Sequence, residues 1–144
     1  MTKKKINLGC GWRNFGPDWI HIDGGDYDHL DHKDILDFPY ENVDLIYASH
    51  VIEYFDKEEI RSILQTWKSK LKPGGILRVA VPNFTTLCQI YMDIGNITKV
   101  LGPLYGKMSM GDETIYHKTV YDEKSLTQVL TEAGFEGVKP WDWR

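Results

Sequence analysis

The 144-residue chain is long enough to bury the core of one domain and too short for two. Its net charge of −4, with lysines and arginines scattered except at Lys3, Lys4 and Lys5, argues against nucleic acid as a partner, because no basic stripe is available to neutralise a run of phosphates. Cys10 and Cys88 fit a reducing compartment and sit at no zinc-binding spacing, and no apolar run forms a leader or approaches membrane-spanning length, so a cytoplasmic protein with no membrane contact and no metal centre is expected.

Short apolar runs alternate with amphipathic stretches along the chain, the pattern of an α/β domain with a parallel sheet. Strands are predicted over Ile6–Leu8, Trp19–Ile22, weakly near Lys33–Leu36, then over Val43–Ser49, Ile76–Pro82 and Glu136–Trp143. Between the fourth and fifth, Asp56 caps a helix with Glu59 three residues on; Ile60, Ile63, Leu64, Trp67 and Leu71 share one face, and "KPGG" (Lys72–Gly75) stops it. Leu87, Ile90, Tyr91 and Ile94 mark a second helix, and Val100, Leu101 and Leu104 a weaker third. Tyr105–Val120 has glycines and methionines but no sustained period and reads as a loop or lid. A last helix starts near Asp122, with Leu126, Val129, Leu130 and Ala133 on one face and Gly134 as its left-handed stop.

In an open parallel sheet, ligands collect at the carboxyl ends of the strands. "INLGCG" (Ile6–Gly11) places Gly9 and Gly11 at the end of the first strand, where the backbone turns sharply and no side chain blocks a ligand. "WIHID" (Trp19–Asp23) places an acid at the end of the second, where a carboxylate can accept both hydroxyls of a ribose. Taken singly, the first feature is also a tight turn and the second a turn acid beside Gly24 and Gly25. A dinucleotide fingerprint needs a third glycine where Asn14 stands, which argues against an NAD-dependent oxidoreductase.

With "DIL" (Asp34–Leu36), "VDLIYASHVIEYF" (Val43–Phe55), "LKPGGILRVAVPN" (Leu71–Asn83) and "LTEAGFEGV" (Leu130–Val138), these stretches resemble the class I S-adenosylmethionine-dependent methyltransferases, in particular compact ones that open on "LNLGCG". The resemblance runs over nearly the whole chain, in order. It implies a single domain over residues 1–144 with a Rossmann-like, doubly wound, mostly parallel sheet, and S-adenosylmethionine as cofactor. Leu8, Gly9, Cys10 and Gly11 would lie against its methionine part, Asp23 and Gly24 at its ribose. Asp34 would accept from the adenine amino group while Ile35 offers its main-chain N–H; by its residues alone, Asp34 is equally a capping or turn acid. Ser49 and His50 would face the methionine and the methyl group. The chain departs from the family where Trp12 or Arg13 stands for a third glycine, where the first helix has shrunk to "WRNFGPD", and where the family's last strand has no residues left to build it, so a shortened fold is expected.

Methyl transfer from a sulfonium is an in-line displacement that asks the protein mainly to align the acceptor and exclude water. A hydroxyl or amine acceptor needs a base, and His50 and His117 are the catalytic candidates, against the plain reading of both as polar loop residues. Tyr91, Tyr105 and Tyr116 are candidates for lining an acceptor pocket, and Glu53 is read as ordering the turn after His50. The expected function is methyl transfer to a small-molecule acceptor; the alternative is a cofactor-binding or assembly module without catalysis. Trp141 and Trp143 predict a homodimer through the C-terminal strand, unless the tryptophans fold back onto the sheet.

Overall fold

Residues 2–25 and 27–141 are described by a computed structural model in which four segments pair in parallel: β1 (Lys5–Leu8), β2 (Trp19–Ile22), β3 (Val43–Ser49) and β4 (Leu71–Ala80), in the order β2-β1-β3-β4. Four helices follow the expected apolar faces: α1 (Lys57–Lys70), α2 (Phe84–Ile94), α3 (Thr98–Tyr105) and α4 (Glu123–Glu132). The chain leaves β1 on one side to make β2 and comes back on the other to make β3. Strand order therefore reverses between β1 and β3, and the crevice beyond their carboxyl ends is the ligand position of such sheets.

Register decides the two faces of the sheet. Ile6 pairs with Ile20 and Ile46, and Leu8 with Ile22 and Ala48, so the side chains of one parity form a single apolar face. Ile60, Ile63, Leu64 and Trp67 of α1 and Leu130 of α4 close over it. The helix-start signal of α1 is real: the Glu59 carboxylate accepts from the Asp56 N–H at 3.1 Å. Trp67, fully buried, donates its indole N–H to the Ile35 carbonyl at 2.8 Å and so pins the loop after β2 to α1.

The opposite parity carries Trp19, His21, Tyr47 and Arg78. The residues between β1 and β2 form a loop, as expected, and its Phe15 packs edge-on against Trp19 at 5.2 Å and Tyr47 at 5.5 Å. Trp141 folds back over Tyr47 at 5.6 Å and donates its indole N–H to the Val79 carbonyl on edge strand β4 at 3.1 Å. That ring is therefore spent on its own sheet, as in the fold-back alternative to the homodimer; Trp143 lies outside the described residues.

Four expectations are corrected. Lys33–Leu36 is not a strand: the Leu36 N–H donates to the Asp34 side chain at 2.8 Å, a local turn that outcompetes pairing, and only Asp31 bridges to Ile22 of β2. The described part of Glu136–Trp143, through Trp141, is irregular; Pro140 has no N–H for a ladder, and the Trp141 indole takes a carbonyl of the edge that a new strand would use. Tyr105–Val120 contains a hairpin, β5 (Met108–Met110) against β6 (Glu113–Ile115), closed at its base by His117 N–H donating to the Tyr105 carbonyl at 2.7 Å. β4 also begins earlier than Ile76, directly after α1, because the pairing with β3 steps from Val43–Leu71 to Leu45–Ile76 and absorbs "KPGG" as an irregularity. Among the described residues no helix is long and apolar enough to cross a membrane.

His21 gives the fold a pH dependence. Its ring is buried, Nε2 accepts the Phe15 N–H at 2.8 Å, and burial, with His29 beside it, lowers its pKa below the ordinary value of 6.5. The unfolded chain then binds the extra proton more readily than the native one, so stability is full above about pH 6.5 and falls as pH drops from there through the depressed native value. Urea titrations at a series of pH values are expected to show this loss, and His21→Gln, which keeps an acceptor but does not titrate, is expected to flatten it.

Candidate functional site

The turn out of β1 and the turn out of β2 are joined by one carboxylate. Asp23 accepts the Gly11 N–H through Oδ2 and the Gly24 N–H through Oδ1, both at 2.6 Å. Gly9 and Gly11 have φ of +62° and +55°, values that L side chains resist. The two glycines serve different ends. A Cβ on Gly9 would meet Val51 Cγ2 at 2.6 Å, so Gly9 is required by packing inside the protein; a Cβ on Gly11 would find only Asp23 Oδ2, at 4.0 Å, so Gly11 borders open space. Leu8 and Cys10 are buried and offer that space only main chain. Burial and the Asp23 charge push the Cys10 thiol up to about 11, which keeps it protonated.

On the other side of the reversal, Ser49 ends β3 and His50 follows in a left-handed conformation, φ +58°, a strain of order 1 kcal/mol for a non-glycine residue. It is held by its N–H donating to the Ala80 carbonyl at 2.8 Å and by Nδ1, 3.2 Å from Glu53 Oε2. Arg13, from the loop after β1, reaches across and donates through Nη1 to the Ser49 hydroxyl at 3.4 Å. Its loop is fixed by the Arg13 N–H donating to the Cys10 carbonyl at 3.0 Å and by His29 Nε2, 2.9 Å from the Arg13 carbonyl. Arg13 was visible in the sequence only as a missing glycine; its approach to Ser49 comes from the sheet order.

Asp34 makes a local turn, its Oδ1 accepting the Leu36 N–H at 2.8 Å while Oδ2 is free of that bond, and Ile35 presents its carbonyl to Trp67. His117 is buried rather than poised on a lid. Its Nδ1 lies 3.2 Å from the Leu104 carbonyl, its ring packs edge-on to Tyr54 at 4.7 Å, and Nε2 is 3.8 Å from Glu53 Oε2. Tyr91 lines an apolar hollow of about 270 Å³ between α2 and α3, whose lining includes neither Tyr105 nor Tyr116.

The family profile described as "Methyltransferase domain" matches residues 9–139, and the chain belongs to that family. No curated relative matches the sequence significantly. Among solved structures, a SAM-dependent methyltransferase from Archaeoglobus fulgidus is similar at 19% identity and a TM-score of 0.62, over 95% of this chain and 62% of that one. DhpI in its complex with SAM and HEP is similar at 15% identity and a TM-score of 0.62, over 92% of this chain and 70% of that one. A chain of the complex between the Haloferax volcanii Trm112 methyltransferase activator and a methyltransferase is similar at 15% identity and a TM-score of 0.54, over 92% of this chain and 60% of that one. This chain thus spans about three-fifths to seven-tenths of their length, and the likeness is one of fold.

Cys10 reports on the turn after β1, with Cys88 on α2 as the exposed control. Near pH 8 an alkylating reagent is expected to modify exposed Cys88 readily and buried Cys10 only after denaturation, since the thiolate is the reactive form and Cys10 stays a thiol. Peptide mapping after brief labelling checks this; early modification of Cys10 would mean an open first turn.

Proposed function

We propose that this domain binds S-adenosylmethionine in the crevice beyond β1 and β3 and transfers its methyl group to a small-molecule acceptor beside His50. The observation that carries the reading is the Asp23 carboxylate holding the Gly9–Gly11 turn beside open space at the strand-order reversal. Each Asp23 oxygen accepts one N–H and keeps a second lone pair, which suits the two hydroxyls of a ribose. Gly11 leaves main chain bare for the ligand, and the Arg13 guanidinium supplies positive charge for the carboxylate of an amino-acid moiety. Beyond β2, Asp34 Oδ2 and the Ile35 N–H are the groups offered to an adenine.

Bound there, the cofactor supplies a methyl group activated on a sulfonium. The protein's task is then alignment and proton removal. His50, with a half-exposed side chain beside Ser49 at the end of β3, is the group that takes the proton of a hydroxyl or amine acceptor. His117 is buried and reaches this chemistry only through Glu53. The reading without catalysis draws support from the short sheet and from the loop that stands between β1 and β2 in place of a covering helix.

Unfolding in the presence of S-adenosylmethionine, S-adenosylhomocysteine or NAD tests the site. At about a hundred times its dissociation constant, either of the first two is expected to add about 2.7 kcal/mol of stability, and NAD none. Asp23→Asn, which keeps one acceptor oxygen and loses the charge, is expected to weaken binding by about tenfold or more. Stabilisation by NAD alone, or unchanged affinity in the variant, would overturn the assignment. Transfer of a labelled methyl group in an acceptor screen separates the enzyme from the binding module.

A further inference from the structure

Among the described residues Glu53 is the only buried acid, its side chain 1% exposed. Its structural bonds are made by its main chain, whose carbonyl accepts from the Lys118 N–H at 2.8 Å and the Thr119 N–H at 3.3 Å. An apolar side chain could fill the same position without the cost of burying a charge. The carboxylate itself is engaged elsewhere. Oε2 lies 3.2 Å from His50 Nδ1 and 3.8 Å from His117 Nε2; Oε1 has no hydrogen-bond partner among the described residues, and Glu53 lines a cavity of about 10 Å³ together with Thr119 and Tyr121.

The distances distinguish the two imidazoles. His117 Nδ1 faces a carbonyl, which only accepts, so its proton is committed to Leu104, and Nε2 at 3.8 Å is beyond hydrogen-bond range of the carboxylate. His50 Nδ1 is within range of a carboxylate, which also only accepts, so that nitrogen bears the proton and Nε2 is bare in the neutral ring. Glu53 sits on the single turn Ile52–Tyr54, three residues after His50, so the contact is local in sequence.

We propose that Glu53 is a positioning residue for His50: its carboxylate accepts the Nδ1 proton, holds the ring with Nε2 free as the base, and balances the charge when that base is protonated. The proposal rests on the reading of His50 as the group beside the acceptor. In the step it serves, the acceptor oxygen or nitrogen forms a bond to the methyl carbon as the methyl–sulfur bond of the sulfonium donor breaks, with that electron pair remaining on sulfur. The acceptor's proton passes to His50 Nε2, and the imidazolium, still bonded through Nδ1 to Glu53, later releases it to solvent.

The nitrogen-15 spectrum of the full chain tests the hold on His50 without needing an acceptor, with the resonances assigned by comparison with His50→Gln and His117→Gln. Neutral His50 is expected to carry its proton on Nδ1, and Glu53→Gln, whose amide can instead donate to that nitrogen, is expected to shift the population to the Nε2–H form. With an acceptor in hand, Glu53→Gln is expected to lower kcat at least tenfold with KM for the methyl donor unchanged, and to have no further effect in a His50→Gln background. An Nε2–H tautomer in the wild-type protein, or wild-type kcat in Glu53→Gln, overturns the proposal. Where Glu53→Gln does not fold, the wild-type tautomer alone decides. If the methyl-transfer reading fails instead, donor binding or turnover is absent while the Nδ1–H tautomer persists.

Discussion

Two main-chain N–H groups that belong to successive turns point at one carboxylate, and this constrains everything around the crevice. In a parallel sheet the residues just past each strand have left the ladder and must find other partners for their backbone groups. Asp23 provides them for the turns after β1 and β2 at once, through two bonds of 2.6 Å. Because the turns are fixed to each other rather than separately, Gly11, Gly24 and the loop carrying Arg13 form one rim. Bonds to charged acceptors are also the stronger kind, so the rim is firmly held.

The sheet beneath that rim is asymmetric. One face is aliphatic and closed by α1 and α4; the other is aromatic and closed by Phe15 and Trp141. Parallel strands buried between two layers of helices are near-continuous in their hydrophobicity, whereas β1 and β2 here alternate, with Asn7 and His21 among the aliphatic residues. A polar residue on that face needs a partner, and His21 finds one in the Phe15 N–H. The loop between β1 and β2 is thus held by a histidine and by ring edges instead of by helix packing.

Backbone constraints of this kind explain how solved methyltransferases can share the fold at 15–19% identity. Strand order, the reversal between β1 and β3 and a turn with positive φ restrict conformation far more than they restrict side chains.

Much of this was already determined by the sequence. Val43–Ser49 and Trp19–Ile22 are apolar runs bounded by turn residues, and α1 carries both a 3.6-residue apolar stripe and a cap; these signals are local, and the structure keeps them. Gly9, Gly11 and Asp23 could be placed at strand ends for the same reason, since a strand followed by glycine or by an acid and glycine is a short-range pattern. The family was legible because its motifs lie at those same points. What only tertiary structure decided depends on contacts distant in sequence. Lys33–Leu36 failed as a strand because an aspartate side chain captured its own backbone. The described part of the C-terminal run is not a strand because its Trp141 took a carbonyl of β4 sixty-two residues away. Gly9 turned out to answer to Val51, Arg13 to Ser49, and His117 to Glu53, none of which spacing alone reveals, because each pair meets only in the folded chain.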